Sequence, residues 1–402
     1  MPITLCSESG VRLIRALPAV CLLLAACLTT DTDPATDGDR PPLKLTEPPA
    51  EFPTAFTVIR AVMALPDGRL VVSDPQENRL ALIDFAKGTS RQLGRVGDGP
   101  REFRRAGGLY RAPGGGLLVF DYDLRRLLPV VPSGALGDVI GLPTGGAATS
   151  WAPRGPDPLA IDSLGHTFAA IRSGGFTAPT SVLLRFRPGA LPDTVTRLRR
   201  PATLAFGDGG HGTEYQEVLF SPEDAWTVSP DGRIAVVRAE PYRVEWFPVA
   251  GPAVAGPVIR HQPVPITPEE KERIASGAAG SRGRISVTVG MVPPGGSPPP
   301  SSGRPAPMSP EKLAFAEVKT PVNLRGGRWP LLDERGRLWV ERNLPAGAGA
   351  SVFDVFDRDG NLVSRVSLPA GVRLVGFDRQ WLYAARLSPD DFEYLQRFPI
   401  PP

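Results

Sequence analysis

Pro66-Asp67-Gly68-Arg69-Leu70-Val71-Val72 opens on a tight reversal and runs directly into an apolar strand, and after a polar gap Leu80 to Phe85 supplies a second strand. The Asp-Gly pair provides a residue at positive φ for the reversal, and the Val, Ile and Leu run suits a strand buried on both faces. The unit recurs as Pro113-Gly114-Gly115-Gly116-Leu117-Leu118-Val119-Phe120 with Arg126 to Val131, and as Asp162-Ser163-Leu164-Gly165-His166-Thr167-Phe168 with Ser181 to Phe186. Three further copies are Pro230-Asp231-Gly232-Arg233-Ile234-Ala235-Val236-Val237 with Arg243 to Phe247, Asp333-Glu334-Arg335-Gly336-Arg337-Leu338-Trp339-Val340 with Ser351 to Phe356, and Asp378-Arg379-Gln380-Trp381-Leu382-Tyr383 with Phe392 to Phe398. A small sheet built on one such hairpin cannot cover both of its faces, whereas blades repeated around an axis pack on one another and leave only short edges. The chain is therefore expected to be all-β over residues 50–402, a six-bladed β-propeller of four-stranded antiparallel blades.

The spacing between copies is interrupted most strongly after the fourth. There Thr267-Pro268-Glu269-Glu270-Lys271-Glu272-Arg273-Ile274 has an N-cap threonine, proline at the first helical position and acidic residues in the first turn, which predicts a short helix. Pro293 to Pro310 is dominated by Pro, Gly and Ser and lacks the apolar area to order itself, and Ser309-Pro310-Glu311-Lys312 reads as a second helix start. Residues from about 263 to 320 are thus an insertion after blade four, ordered at its ends and disordered in its middle. A propeller must also close, and Phe56 to Val62 is the expected closing strand, with residues near 58 pairing with those near 395. Such closure by hydrogen bonds matters because the body of the chain has no cysteine to latch it.

Composition sets further bounds. The 402 residues carry 44 Gly, 47 Pro and 42% hydrophobic residues, enough apolar material for a large core despite the abundance of turn-formers. Lys and Arg number 45 against 42 Asp and Glu, a net +3 that lacks the field of a dedicated nucleic-acid binder. The first 26 residues read as a secretory signal, with Arg12 and Arg15 ahead of an apolar run from Ala16 to Ala26 that is too short to span a bilayer as a transmembrane helix. Cys6, Cys21 and Cys27 all lie in or at the end of that segment, so thiol chemistry in the body of the chain is excluded. Removing Glu8, Arg12 and Arg15 with the signal leaves about +2.

Leu24-Ala25-Ala26-Cys27 resembles the lipobox of bacterial lipoproteins, which implies acylation of Cys27 and a lipid-anchored chain. Acyl chains contribute about 0.8 kcal/mol per buried methylene, so a multiply acylated cysteine would anchor stably. Residues 27–49 are then a lipidated cysteine and polar tether, and Leu28 after the cysteine implies, by resemblance to lipoprotein sorting, retention in the outer membrane. Gly94-Arg95-Val96-Gly97-Asp98-Gly99-Pro100-Arg101-Glu102-Phe103 resembles the G-x-x-G-x-G-P-G-E-F loop of bacterial six-bladed β-propeller lipoproteins of the NHL-like type, with Arg101 where that loop has glycine. Tyr242-Arg243-Val244-Glu245-Trp246 and Phe353 to Gly360 resemble the endings of such repeats. The resemblance implies a cell-envelope lipoprotein and assigns no activity.

The loop formed by Gly97, Gly99, Pro100, Glu102 and Phe103 reads as an inter-blade turn with Phe103 plugging the core and Glu102 bonding the loop. Its amides, with Arg101, Arg104 and Arg105, could instead nest an anion, although no phosphate-loop motif is present. Arg125, Arg126, Arg185, Arg187, Arg197, Arg199 and Arg200 recur near strand ends, as solvated edges or as an anion-binding face at the channel. Phe85, Phe120, Phe186, Trp246, Phe247, Trp339 and Trp381 follow strand periodicity and read as core.

Two functions compete. No G-x-S-x-G or H-E-x-x-H motif is present, and a rigid, anchored propeller without a nucleophile-base signature suits a scaffold that binds an envelope protein or a small ligand, with no cofactor. Alternatively, a metal-dependent hydrolase or lyase, lactonase-like, would hold Ca2+ or another divalent cation in its central channel, an analogy of fold alone. Asp74, Asp121 and Glu240 follow the turn strand in copies one, two and four, and His211 sits in the Gly207 to Tyr215 loop; these are the candidate ligands of that alternative.

Overall fold

The computed structural model of the chain describes residues 41–46, 50–142, 159–172, 174, 177–187, 189–206, 214–276, 313–324 and 328–402. Six antiparallel sheets follow one another in sequence and form the six blades of a β-propeller. Blade one consists of Ala61–Ala64, Leu70–Asp74, Arg79–Asp84 and Thr89–Gln92, and blade two of Ala106–Arg111, Leu117–Asp121, Arg126–Val130 and Ile140–Gly141. Blade three is Leu159–Ile161, Thr167–Arg172, Thr180–Phe186 and Asp193–Arg199, and blade four is Ala225–Val228, Ile234–Ala239, Tyr242–Phe247 and Val254–Ala255. Blade five contains Leu331–Leu332, Leu338–Glu341, Ser351–Phe356 and Leu362–Leu368; blade six contains Val372–Phe377, Trp381–Leu387 and Glu393–Pro399, completed by Ala50–Phe56.

The repeated hairpin of the sequence is the second and third strand of each blade, and the Asp-Gly turn is the reversal that joins the first strand to the second. Gly68, Gly165, Gly232 and Gly336 all adopt the left-handed φ that this turn requires. Copy six has no glycine there. Its turn is held by the Asp378 carboxylate, which accepts from Gln380 N at 2.8 Å and Trp381 N at 2.7 Å.

The second strands explain why the blades must form a ring. In Leu70–Asp74 the side chains of Leu70 and Val72 join a core shared with blade six, and Val71 joins the core shared with blade two. In Ile234–Ala239, Ile234 and Val236 pack against blade three while Ala235 and Val237 pack toward blade five. Alternation with period two thus sends successive apolar residues into two different interfaces, so a continuous apolar run is buried on both sides. Separate clusters fill each of the six blade interfaces, including the one between blades five and six around Trp339, Phe377 and Phe398.

Closure uses an earlier segment than the one expected from sequence. Ala50–Phe56, rather than Phe56 to Val62, forms the outermost strand of blade six, with Ala55 opposite Tyr394 and Phe56 opposite Glu393. Phe52 and Phe56 are fully buried between blades six and one, and Ala61–Ala64 is needed as the first strand of blade one. Blade five also departs from four strands, because Leu43–Lys44 adds in parallel beside Val366 and Ser367. Leu43–Lys44, within the segment read as tether, is therefore strand.

The insertion leaves and returns as a pair of short strands, Val264–Pro265 against Val318–Lys319. The helix Pro268–Ala275 begins as its sequence requires, with the Thr267 hydroxyl accepting from Glu270 N at 3.3 Å. Ile274 and Ala275 pack on Phe220, Ile266 and Leu313, and Lys319 reaches both the Glu270 carboxylate at 2.8 Å and the Leu344 carbonyl at 2.7 Å. A buried pair of this kind fixes the register of the excursion more than it adds stability. Residues 277–312, which include the second helix start at Ser309, lie outside the described residues, as do Cys27 and the signal segment.

Candidate functional site

Asp74 and Asp121 occupy equivalent places, the last residue of the second strand in blades one and two, and both are buried. Asp74 accepts from Thr57 N at 2.7 Å, on the crossing from blade six, and from Gln76 N and Glu77 N in its own turn. Asp121 accepts from Arg104 N at 2.9 Å and Arg105 N at 3.2 Å, on the approach from blade one, and from Asp123 N and Leu124 N. Burial pushes the Asp74 carboxyl up, against the pull of its N–H donors.

Blade four makes the same tie by another residue. Asp224, just ahead of its first strand, accepts from Arg199 N at 2.9 Å and Ala239 N at 3.2 Å, and its charge is met by Arg238 at 2.8 Å. Glu240 does not share the position of Asp74. It stands past the strand in the turn to Tyr242, where it pairs with Arg199 at the surface. The structure thus places Asp74 and Asp121 in equivalent settings at two different blade junctions and Glu240 in a different one, so the three do not come together. His211 lies outside the described residues, and among the described residues no group of three or more His, Cys, Asp or Glu is placed to hold a metal ion. His166 is tied to its own turn through Asp162 at 2.8 Å, and His261 packs edge-on against Tyr242.

The Gly97 to Phe103 loop folds around its own carboxylate. Glu102 accepts from Gly99 N at 2.8 Å and pairs with Arg95 at 2.5 Å, while a Cβ at Gly97 would overlap that carboxylate. Arg126 donates to the carbonyls of Asp98, Gly99 and Glu102, and Phe103 is fully buried between blades one and two. Arg101 is not among the residues at positive φ, so replacing the glycine of the related loop costs no backbone strain here. Of the amides that would nest an external anion, Gly99 N is met by the Glu102 carboxylate and Gly97 N by the Phe103 carbonyl.

Four other arginines singled out by sequence, Arg185, Arg187, Arg199 and Arg200, are paired locally. Arg185 and Arg187 share Asp193, Arg199 meets Glu240, and Arg200 reaches the Ala178 carbonyl and Glu217. Of the aromatic residues expected in the core, Phe120, Phe186, Trp246 and Trp339 are buried, whereas Phe85, Phe247 and Trp381 are half-buried at the rims of the interfaces.

Where the first strands converge lies a partly open cavity of about 200 Å³ to which all six blades contribute. Blade one brings Arg60 and Ala61, blade two Gly108, Tyr110 and Tyr122, blade three Ala160, and blade four Trp226. Arg328, Trp329 and Glu341 come from blade five and its approach, and Arg373 from blade six. Glu341 is buried and is bonded by Arg328, by Asn323 at 3.3 Å and by Ser351 at 3.2 Å; burial pushes its carboxyl up while Arg328 opposes. Arg373 bridges the Ile59 carbonyl at 2.8 Å and Glu393 at 3.0 Å. The Tyr110 hydroxyl is held well above its ordinary range by burial.

Two adjacent glycines lie against the lining tyrosines, and of the two Gly108 lines the cavity itself. A Cβ at Gly107 would overlap the Tyr122 ring and one at Gly108 would overlap the Tyr110 hydroxyl, so both rings lie closely over bare backbone. Sequence reasoning missed this site. Arg60, Arg328 and Arg373 sit at or just before first strands, which carry no turn signature, and only the Gly107-Gly108 pair inside a strand signals a close approach.

No family model matches the chain, and no curated protein matches it. Solved structures with similar architecture include a Bacteroides fragilis protein described as exported, at 10% identity and a TM-score of 0.43, covering 89% of this chain and 94% of the other. A gluconolactonase from Xanthomonas campestris aligns at 14% identity and a TM-score of 0.38, covering 88% and 91%. A catalytically inactive virginiamycin B lyase from Staphylococcus aureus with quinupristin aligns at 12% identity and a TM-score of 0.34, covering 86% and 82%. Among the described residues no helix is long and apolar enough to cross a membrane.

Proposed function

We propose that this chain is an exported envelope lipoprotein, anchored through acylated Cys27 in the outer membrane, whose propeller binds a small ligand in its central cavity. The observation that carries the binding reading is the convergence of side chains from all six blades on one cavity of about 200 Å³. A concave space lined by apolar and aromatic groups with a few convergent polar ones is the usual form of a small-molecule site. The scaffold reading assigns no catalytic group, in keeping with a buried carboxylate, Glu341, that is already bonded by three neighbours.

The binding reading is tested by incubating the purified chain with a bacterial metabolite extract, washing, denaturing it and identifying what is released by mass spectrometry. A small molecule retained by the native chain and lost from Ala61→Phe, which fills the cavity from blade one, is the expected result. Identical profiles for the two proteins would remove the cavity from consideration. The anchor is tested separately: palmitate should label the chain in cells and fail to label Cys27→Ala.

A further inference from the structure

We infer that the cavity ligand is a small uncharged ring bearing a carbonyl or similar acceptor oxygen, held by the hydroxyls of Tyr110 and Tyr122 and the indole N–H of Trp226; this rests on the binding reading above. The charged groups of the lining already have partners in the protein. Arg328 pairs with Glu341, Arg373 pairs with Glu393 at 3.0 Å, and Arg60 is engaged as well. Glu341 and Glu393 are both buried, so an ionic ligand that drew either arginine away would leave a buried carboxylate unmet, which is costly. A neutral ligand leaves both pairs intact.

The neutral donors of the lining are in the opposite condition. Elsewhere in the fold buried phenols and indoles are paired: Tyr242 donates to Asp354 at 2.9 Å and Tyr383 to Asp378 at 2.6 Å, while Trp246 donates to the Asp357 carbonyl at 3.0 Å and Trp339 to Asp333 at 3.1 Å. Trp226 is only 3% exposed, yet its N–H donates to no acceptor among the described residues, and the hydroxyls of Tyr110 and Tyr122 have no protein partner there either. None of these three atoms is among those sealed from solvent without a partner, so each keeps surface where its residue lines the cavity. An indole N–H can only donate, and burial holds the Tyr110 hydroxyl well above its ordinary range, so that it stays protonated. Three donors brought together from blades two and four are matched by an acceptor on the ligand. The ring follows from the walls that carry them. Tyr110, Tyr122, Trp226 and Trp329 all line the space, and Phe120 packs edge-on against Tyr122 at 4.9 Å and holds it, an arrangement that favours a flat partner. Size agrees, since a cavity of about 150 Å³ is known to accept benzene, so about 200 Å³ has room for one substituted ring.

The probes are acetophenone, a neutral ring with one carbonyl acceptor; ethylbenzene, which lacks the acceptor; and benzoate, which adds a charge. Binding to the full chain is followed by ligand-observed NMR titration. Tyr110→Phe and Tyr122→Phe each remove one hydroxyl and keep the ring, and Trp226→Phe removes the N–H. Thermal unfolding without ligand shows whether each variant is folded, and the two tyrosine variants carry the test where Trp226→Phe is not. At least one variant should weaken acetophenone several-fold, up to about tenfold as expected for one hydrogen bond, and leave ethylbenzene unchanged. Benzoate should bind no more tightly than acetophenone. Variants that weaken acetophenone and ethylbenzene alike, or weaken neither, or a benzoate that binds more tightly than acetophenone, would overturn the inference and leave the cavity reading standing. The molecule released in the extract experiment should be uncharged near neutral pH and carry an acceptor oxygen on or beside a ring; release of a charged or acceptor-free molecule would likewise overturn the inference alone. Absence of binding by every probe, together with identical extract profiles, would overturn both.

Discussion

Thr57 donates its backbone N–H to the buried carboxylate of Asp74 at 2.7 Å, joining the strand that closes blade six to the second strand of blade one. Arg104 makes the corresponding bond to Asp121 between blades one and two at 2.9 Å. A single side chain in each case satisfies donors from a connection and from a turn, groups that would otherwise be orphaned at the blade junctions.

Asp74→Ala should therefore be strongly destabilising, by about 2–4 kcal/mol, because at least two backbone N–H groups lose a charged acceptor. Glu240→Ala should cost under about 0.5 kcal/mol, as expected of an exposed ion pair. Urea midpoints with unchanged slopes measure both. Equal effects at the two sites would contradict the latch assigned to Asp74.

Gly97 and Glu102 should be energetically coupled. Gly97→Ala puts a methyl group into the Glu102 carboxylate and should lower the unfolding midpoint in the parent chain. In a Glu102→Ala background the same change should cost clearly less, because the overlap is gone and only the positive φ at position 97 still opposes a side chain. A double-mutant cycle reads this directly, and additive effects would mean that the carboxylate is not what excludes a side chain at position 97.

The blade count, the turns and the start of the inserted helix were legible because each is written locally: a residue at positive φ, an apolar run of period two, or a capping threonine. The closing strand was harder to place. Ala50–Phe56 contains Pro53 and alternates only loosely, and its partner lies more than three hundred residues away, so nothing local distinguished it from Phe56 to Val62. Asp74 and Asp121 were visible as a repeated position, but a repeated carboxylate looks alike in sequence whether it meets a cation or backbone N–H groups. The cavity was least legible. Its arginines come from blades one, five and six, and only closure of the ring brings them together.

Glu223 should make stability depend on pH near neutrality. Burial, reinforced by Glu217 and opposed by Arg200, pushes its carboxyl from an ordinary 4.5 up to about 7. The folded chain thus holds a proton that the unfolded chain releases at lower pH, and stability falls as pH rises from about 4.5 through 7. Glu223→Gln should remove that share of the decline, gaining about 1–3 kcal/mol over the parent near pH 8 and nothing near pH 4. Parallel pH profiles for the two proteins would contradict the assignment.

The closing strand supports the sharpest test of the ring. Phe52 and Phe56 are buried at 0% and 1% exposure between blades six and one, and their strand completes blade six as its outermost member. Phe52→Ala should cost about 3–5 kcal/mol, the range for a large aromatic truncated in a core. Replacing Leu43, half exposed on the short strand added to blade five, should cost little by comparison. A chain that begins at residue 58 would leave Glu393–Pro399 as an unpaired edge and should unfold at much lower denaturant, while a peptide of residues 48–60 added in excess should restore the transition in proportion to its concentration. If the shortened chain unfolds like the parent and ignores the peptide, closure through Ala50–Phe56 does not hold the ring, and the six interface cores alone must do so.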